Sequence, residues 1–280
     1  MEKRALLTGA NSGIGKETVA ALLEQGYELI MICRDKEKGE AVMNEFKLKF
    51  PSSKIHLFLC DLASVNAVKN VSGEIKSSFN SLDVLVNNAG AIFKNRETTI
   101  DGLEKTFATN HLSYFHLTNE LLPLLLTAPA ARIVNVASQA SKFSRLNFDD
   151  LQLERKFNGG IAYGNSKLMN LLFTYALAKK MEGSSVTVNA VHPGGVRTQF
   201  YNSLGAPAKI YRLLFGWSMR SPKKGAETVI WLASSPEVAG VNGKYFQDRK
   251  PLKSILISYD EGAQKKLWEV SEGMILAKLK

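Results

Sequence analysis

Residues that cross-link proteins or bind metals are scarce in this chain. Its 280 residues include two cysteines, Cys33 and Cys60, and four histidines. The cysteines lack the paired spacing of a zinc site, and one pair in a chain of this length makes no disulfide framework. No histidine lies four residues from another, as paired metal ligands on a helix do. The sequence therefore predicts two buried thiols and no metal centre.

Long hydrophobic runs are also missing. The first apolar run, Ala5 to Leu7, lies too near the start of the sequence to leave room for the apolar stretch of a signal peptide. The longest apolar patch, Leu121 to Leu126, is interrupted by Pro123 and is far too short to span a membrane. We therefore expect a cytoplasmic protein.

Glycine and proline, at 21 and 8 residues, follow no period, which excludes collagen-like, low-complexity and repeat architectures. No linker-like run divides the sequence, so we expect one domain over residues 1–280. Lysine and arginine outnumber acidic residues by 36 to 26. Such a surplus suits nucleic acid, an anionic membrane or a phosphorylated cofactor, and it also favours plain solubility. Because no basic run or base-stacking motif accompanies it, we do not expect nucleic-acid binding.

Short β-branched runs alternate with longer segments of helical period. This alternation predicts βαβ units, in which helices cover both faces of a parallel sheet. The predicted strands are 5–8, 28–33, 55–59, 82–87, 133–138, 186–191 and 243–246, and the predicted helices are 14–24, 37–49, 65–79, 103–126, 161–181 and 223–233. We therefore expect an α/β, doubly wound Rossmann fold with a mostly parallel seven-stranded sheet. Ligands of such folds bind beyond the carboxyl ends of the strands.

A glycine-rich turn follows the first predicted strand and leads at once into a helix. Glycines let the backbone approach a ligand closely, and the N–H groups at a helix start attract a pyrophosphate. The spacing is Gly-xxx-Gly-x-Gly, unlike the Gly-x-Gly-xx-Gly of the common dinucleotide motif. A plain turn is the alternative, but strand, loop and helix together favour dinucleotide binding. The candidate residues are Gly9, Asn11, Ser12, Gly13, Ile14 and Gly15.

The end of the second strand indicates which dinucleotide is bound. An acidic residue there binds the adenosine ribose of NAD, whereas a basic residue accepts the 2′-phosphate of NADP. Here Cys33 is followed by Arg34, whose guanidinium suits a phosphate. Asp35 would repel that phosphate unless it caps the next helix, and Lys38 offers a second cation. We therefore favour NADP(H) over NAD(H), although Arg34 and Lys38 would also suit a solvated basic face.

Two further strand ends point to the same cleft. Asp61 and Leu62 close the third strand, where the Asp61 carboxylate either accepts from an adenine amino group or caps the next helix. Asn88, Ala89 and Gly90 follow the fourth strand, where a cofactor would cross the sheet. A polar turn is the alternative for this second group.

A tyrosine and a lysine four residues apart are the candidate reactive groups. Tyr163 and Lys167 share one face of a predicted helix. A free phenol is only about 0.1% ionised at pH 7, so forming its anion costs roughly 4 kcal/mol. A cation ~5 Å away supplies roughly 3 kcal/mol at an effective dielectric of about 20. Because Ser138 ends a central strand before this helix, its hydroxyl can bond a substrate oxygen beside the phenol, and the three residues together outweigh a chance surface pair.

Four motifs occur in one order, namely Thr-Gly-xxx-Gly-x-Gly, Asn-Asn-Ala-Gly, a strand-ending serine and Tyr-xxx-Lys. In this order and at these intervals they resemble the short-chain dehydrogenase/reductase family, over essentially the whole chain. The resemblance implies hydride transfer between NADP(H) and a carbonyl/alcohol pair. It also implies that Tyr163 is the general acid/base, that Lys167 lowers its pKa and binds the nicotinamide ribose, and that Ser138 orients the substrate oxygen.

The resemblance extends to two further segments. Asn110 matches an asparagine that helps to hold a proton-relay water, whereas its own surroundings predict only a helix residue with a local hydrogen bond. Pro193, Gly194, Val196 and Thr198 match the segment that cradles the nicotinamide carboxamide, where Pro-Gly alone predicts a turn.

Finer features resemble the retinol dehydrogenase-like branch of that family. They are Cys-Arg-Asp after the second strand, the interval from Ser138 to Tyr163, and the C-terminal Lys-Leu-Trp-Glu-Val-Ser. Members of that branch commonly prefer NADP(H) and act on retinoids or other lipophilic carbonyls. Many begin with a membrane anchor, which we do not expect here, so the substrate is left open.

The segment at about 198–221 is predicted to act as a lid on the substrate side. It is rich in aromatic and aliphatic residues interleaved with lysine and arginine. This composition favours a small lipophilic carbonyl or alcohol substrate, but it also suits peripheral contact with an anionic membrane or packing within the protein. A homodimer through the predicted helices 103–126 and 161–181 is a further expectation.

Two other functions compete with that of a reductase. A catalytically idle NADP-binding regulator or scaffold can be built on this fold, but it would not need Tyr163, Lys167 and Ser138 together. A sugar-nucleotide epimerase on the same fold is disfavoured by the glycine spacing and the modest length. The sequence therefore predicts an NADP(H)-dependent dehydrogenase or reductase for a lipophilic substrate.

Overall fold

A computed structural model of the protein describes residues 3–196 and 219–279. The predicted lid at 198–221 therefore lies outside the described residues except for 219–221, and Thr198 lies outside them as well. Within the described ranges, no helix combines the length and the apolar character needed to cross a membrane.

The described strands form a single sheet, which confirms the predicted doubly wound α/β fold. Seven strands run parallel, and a two-residue eighth strand pairs antiparallel with the seventh. The order across the sheet is β3-β2-β1-β4-β5-β6-β7-β8. The predicted count of seven strands is therefore corrected to eight. The strands are β1 (Arg4–Thr8), β2 (Glu28–Cys33), β3 (Ile55–Leu59), β4 (Val84–Asn87), β5 (Ala131–Val136), β6 (Val186–Val191), β7 (Tyr245–Gln247) and β8 (Lys250–Pro251).

Helices cover both faces of the sheet and form a large apolar core on each face, and a smaller third cluster comprises Ala137, Leu171, Ala190 and Tyr245. One face carries the first, second and seventh helices, and the other carries the third, fifth, sixth and eighth. The helices are α1 (Gly13–Glu24), α2 (Lys36–Lys49), α3 (Val65–Ser78), α4 (Lys105–Phe107), α5 (Ser113–Thr127), α6 (Gly159–Lys180), α7 (Pro222–Ser234) and α8 (Glu261–Leu276). A π-helical turn, Ala108–Leu112, joins α4 to α5.

The sheet topology places a crevice beside β1. Strands β1 and β2 are buried because each is an apolar run covered on both faces. The winding runs from β1 to β2 and β3 on one side, then from β4 to β7 on the other. At this reversal, β1 and β4 lead to helices on opposite faces of the sheet, α1 and α5, and the carboxyl end of the sheet between them is where such folds bind ligands.

Two elements were not predicted. Strand β8 was missed because the turn before it, Asp248-Arg249, contains no glycine or asparagine to mark a two-residue hairpin. Helix α8 was missed although its N-cap is marked by Asp260, whose carboxylate accepts from the Ala263 N–H at 2.6 Å.

Candidate active site

A cleft of about 850 Å³ opens at the carboxyl ends of the parallel strands. The segments that follow β1 to β6 line this cleft together with the start of α6. Gly15 and Asn110 lie behind its lining, and Thr198 lies outside the described residues. The predicted site residues that line the cleft are Gly9, Asn11, Ser12, Gly13, Ile14, Arg34, Lys38, Asp61, Leu62, Asn88, Ala89, Gly90, Ser138, Tyr163, Lys167, Pro193, Gly194 and Val196.

The turn after β1 admits a ligand close to its backbone. Gly9 and Gly13 have φ angles of +64° and +53°, which side chains other than glycine disfavour. A Cβ on Gly15 would lie 2.2 Å from the carbonyl oxygen of Gly9, so only glycine lets α1 start this close to β1. Ser12 precedes α1 and makes no side-chain capping bond. The first N–H groups of the helix are therefore available to a phosphate group.

Hydrogen bonds hold the ends of β1 and β4 together. The Thr8 hydroxyl accepts from the N–H groups of Asn88 at 2.9 Å and Ala89 at 3.0 Å. The Asn88 side chain in turn donates to the Thr8 carbonyl oxygen at 2.9 Å. A Cβ on Gly90 would lie 3.6 Å from the Nζ of Lys167, so the loop after β4 runs directly beside that ammonium.

Arg34 presents an exposed cation at the end of β2. It lines the cleft and forms no ion pair within residues 3–196 and 219–279. Asp35 caps α2, as predicted, because its carboxylate accepts from the Lys38 N–H at 3.1 Å. The same carboxylate pairs with the Lys38 Nζ at 2.8 Å, and this contact lowers the pKa of Asp35. Lys38 is therefore neutralised by Asp35, whereas the charge of Arg34 is left for a ligand.

Both cysteines are free and buried, as predicted, and both also line the cleft. Burial raises the pKa of the Cys33 thiol to about 11 and that of the Cys60 thiol to about 12. Both thiols are therefore protonated at neutral pH. Cys33 therefore carries no negative charge that could accept a hydrogen bond from a ribose hydroxyl.

Asp61 and Leu62 line the cleft after β3. The Asp61 carboxylate accepts from the Ala63 N–H at 3.1 Å, and Ser64 caps α3. The helix-capping alternative for Asp61 is therefore wrong, since the cap lies three residues later. A contact between Asp61 and adenine stays a prediction.

Tyr163 and Lys167 share one face of α6, as their spacing predicts. The Lys167 Nζ lies 5.6 Å from the centre of the Tyr163 ring and 5.5 Å from the centre of the Tyr114 ring. This Nζ is buried and donates to the carbonyl oxygen of Val136 at 2.9 Å. Burial lowers the pKa of Lys167 to about 7. The ammonium is thus close enough to stabilise a tyrosinate, and its own proton is labile near neutral pH.

Ser138 lies two residues beyond β5 and opens a short 3-10 helix, Gln139–Phe143. The predicted strand, 133–138, was therefore placed two residues too far along the chain, since β5 spans Ala131–Val136. The Ser138 hydroxyl accepts from the Ala140 N–H at 3.1 Å and belongs to the same cleft as Tyr163. Because a hydroxyl both donates and accepts, its hydrogen can still be directed at a substrate oxygen.

Asn110 is fully buried in the π-helical turn. Its side chain accepts from the Ala91 N–H and donates to the Ala91 carbonyl oxygen, both at 2.8 Å. The same amide donates to the Ser166 hydroxyl at 3.1 Å. The side chain therefore ties the loop after β4 to α6, and the predicted contact with a relay water stays a prediction.

Several cleft residues were missed from the sequence. They lie in the segments next to Gly90, Asn110, Ser138 and Tyr163, and most are small or apolar. Phe143, for example, is 76% exposed although it lines the cleft. No local motif marks these positions, because their segments meet only in the folded chain. They include Ala91, Ile92, Thr109, Ala140, Phe143, Asn158, Gly160 and Ile161.

Comparison with known proteins identifies the family. Residues 3–209 match the short chain dehydrogenase family. The chain belongs to that family. It is 40% identical to retinol dehydrogenase 14 of Homo sapiens, over 98% of this chain and 86% of that protein. It is 35% identical to polyprenol dehydrogenase of Homo sapiens, over 96% of this chain and 84% of that protein. The protein is therefore an oxidoreductase that acts on CH–OH groups with a nicotinamide dinucleotide.

Solved structures show the same fold. The crystal structure of an uncharacterized protein from Mycobacterium paratuberculosis superposes with a TM-score of 0.79 at 29% identity, over 98% of this chain and 93% of that one. A variant of actinorhodin polyketide ketoreductase, solved with NADPH, superposes with a TM-score of 0.68 at 26% identity, over 88% of this chain and 95% of that one.

Proposed function

We propose that this short-chain dehydrogenase is an NADP(H)-dependent enzyme that interconverts a small lipophilic carbonyl compound and its alcohol. The observation that carries the cofactor choice is the exposed guanidinium of Arg34 at the end of β2, which has no ion-pair partner in the part of the chain that the structure describes. A 2′-phosphate at this point would form charge-assisted hydrogen bonds with Arg34. The neighbouring Cys33 has no carboxylate to offer to the ribose of NAD, and burial keeps its thiol uncharged by raising the pKa of that thiol to about 11.

The cleft fits a dinucleotide along its length. The N–H groups at the start of α1 suit the pyrophosphate, and the glycines around them leave the space that a Cβ would fill. Lys167 would hold the nicotinamide ribose, and the Gly194–Val196 segment would contact the nicotinamide itself. When bound, the nicotinamide supplies or accepts the hydride.

The protein's own contribution is proton transfer and orientation. In reduction, the Tyr163 phenol donates its proton to the carbonyl oxygen, while the Ser138 hydroxyl donates a hydrogen bond to the same oxygen. The Lys167 ammonium, 5.6 Å from the Tyr163 ring, stabilises the tyrosinate that is left. In oxidation these groups act in reverse, with the tyrosinate accepting the proton of the alcohol.

Apolar side chains beside these groups support a lipophilic substrate. Ile92, Phe143 and Ile161 line the cleft in the segments next to Gly90, Ser138 and Tyr163. Two relatives are named for lipophilic alcohols, as a retinol dehydrogenase and a polyprenol dehydrogenase. Long-chain aldehydes, aromatic ketones and retinal are accordingly the compounds to test first.

The first experiment compares the wild-type protein with a Tyr163→Phe variant. Oxidation of NADPH and of NADH is followed at 340 nm with each of those carbonyl compounds. We expect NADPH-dependent turnover in the wild type, and turnover near background in the variant although NADPH still binds. Turnover retained by the variant would contradict the assigned acid/base, and NADPH binding without any wild-type turnover would favour the idle regulator.

The second experiment tests the cofactor choice. Replacing Arg34 with glutamine should reduce the preference for NADPH over NADH by about 10- to 150-fold, because hydrogen bonds to a charged group contribute about 1.5–3 kcal/mol. Lys36→Gln is the matched control, since Lys36 is an exposed cation two residues away that does not line the cleft. Equal preferences in the wild type and the Arg34 variant would exclude Arg34 as the phosphate-binding group.

A further inference from the structure

A two-pronged ion pair joins Arg220 to Asp248, which lies 28 residues further along the chain. The Nη2 of Arg220 lies 2.9 Å from the Oδ2 of Asp248, and the Nη1 contacts the Oδ1. The pairing lowers the pKa of Asp248 to about 2, so its carboxylate is ionised at any physiological pH. Bidentate pairing of this kind fixes the orientation of the guanidinium as well as its position.

Arg220 holds the segment that follows β6. A Cβ on Gly194 would lie 2.7 Å from the Cδ and Nε of Arg220, so the side chain rests directly on this glycine. The Arg220 N–H donates to the Gly195 carbonyl oxygen at 2.8 Å. Val196 and Arg220 form an isolated parallel β-bridge. Arg220 therefore contacts each residue from Gly194 to Val196, and Gly194 and Val196 both line the cleft.

Asp248 is presented to Arg220 by a turn that is strained at Arg249. The two residues between β7 and β8, Asp248 and Arg249, have φ angles of +53° and +59°. Aspartate tolerates this conformation, as asparagine and glycine do, whereas an arginine such as Arg249 rarely adopts it. The turn is held against α7 by the Arg249 N–H, which donates to the Thr228 hydroxyl at 3.2 Å. A strained conformation that the surrounding structure maintains is a mark of function.

We propose that Arg220 and Asp248 form a positioning pair that clamps the Gly194–Val196 segment against the nicotinamide half of the bound dinucleotide. The proposal rests on the proposed NADP(H) function, since it assigns one half of that ligand to this segment. The side chains of Arg220 and Asp248 are 29% and 45% exposed, so the pair itself is only partly shielded from solvent. Its effect on binding should therefore weaken as the salt concentration rises.

The test measures the affinity of the protein for two ligands that have only the adenosine half of the dinucleotide in common. NADPH fills both halves of the site, whereas adenosine 2′,5′-bisphosphate carries the 2′-phosphate and adenine but no nicotinamide. Asp248→Asn removes the charge and keeps a residue that tolerates positive φ, so the turn is preserved. Arg220→Met removes the other partner, and Arg220→Lys keeps the charge but loses the bidentate geometry.

We expect Asp248→Asn and Arg220→Met each to weaken NADPH binding about fivefold, the factor that about 1 kcal/mol gives for a partly exposed pair. Binding of adenosine 2′,5′-bisphosphate should stay unchanged. Arg220→Lys should recover part of the loss, and the double variant should be no weaker than either single variant. Arg249→Asn is the matched control, because it removes a neighbouring exposed cation from the same turn and suits its positive φ.

Two results would overturn the positioning pair. One is an unchanged affinity for NADPH in both variants, and the other is an equal weakening of both ligands, which would indicate general damage to the fold. A wild-type protein that binds neither ligand would instead overturn the proposed NADP(H) function. The two failures are therefore distinguishable.

Discussion

Replacing Lys167 with methionine should stabilise the nucleotide-free protein. The same substitution should abolish turnover. Lys167 is 2% exposed, and the structure places only one hydrogen-bond acceptor within its reach among the described residues, the carbonyl oxygen of Val136 at 2.9 Å. Methionine has a similar length, carries no charge and adapts well to buried sites. A functional group held at the expense of stability is common in active sites.

The magnitude follows from the pKa of Lys167, which burial lowers from 10.5 to about 7. Between these values the folded protein binds fewer protons than the unfolded chain, so its stability rises with pH. The burial of Lys167 costs about 5 kcal/mol at pH 6 and about 2 kcal/mol at pH 9. The variant loses about 1 kcal/mol with the hydrogen bond to Val136. Its net gain is then about 4 kcal/mol at pH 6 and about 1 kcal/mol at pH 9.

Urea unfolding followed by circular dichroism at pH 6 and pH 9 measures this gain as a difference in free energy of unfolding. The same substitution is also measured in a protein that carries Tyr163→Phe. Without the phenol, no proton can pass between Tyr163 and Lys167, so only the titration of Lys167 contributes. Lys142→Met is the control, because Lys142 is exposed, and it should shift the free energy of unfolding by less than about 0.5 kcal/mol. A Lys167 variant less stable than the wild type at pH 6, or a gain equal at both pH values, would refute this reasoning.

Two other predictions concern the same cleft. Because the pKa of Lys167 lies at about 7, carbonyl reduction, which needs a fully protonated Tyr163–Lys167 pair, should fall as the pH rises through neutrality, whereas alcohol oxidation should rise. If kcat/KM changed with pH in the same sense for reduction and for oxidation, the assigned role of the Tyr163–Lys167 pair would be contradicted. Gly15→Ala should destabilise the protein by about 1–3 kcal/mol and weaken NADPH binding, since its Cβ would lie 2.2 Å from the Gly9 carbonyl oxygen. Gly73→Ala in α3, where a Cβ has nothing within 4 Å, should instead stabilise it by about 0.5–1 kcal/mol in the same unfolding assay.

Features that depend on residues close in the sequence, such as helix bounds and the cap of α2, were predicted well. Asp35 caps α2 through an N–H three residues ahead, a contact set by helix geometry alone. The predicted helices agree with the observed ones to within two residues at their ends, except that a π-helical turn divides the segment before α5. Asp61 shows where this reasoning fails, because an aspartate shortly before a helix suggests a cap, whereas Ser64, which was not predicted to be one, caps α3.

The sequence by itself determined the alternation of strands and helices, the glycine turn before α1 and the shared face of Tyr163 and Lys167. Each of these depends on periods and spacings of a few residues, which backbone geometry converts directly into structure. Only the tertiary structure decided that Lys167 is buried and that Arg220 meets Asp248 above Gly194. Such contacts join segments far apart in the chain, and they are set by how the β6 loop, α7 and the β7–β8 hairpin pack together, which no local pattern records.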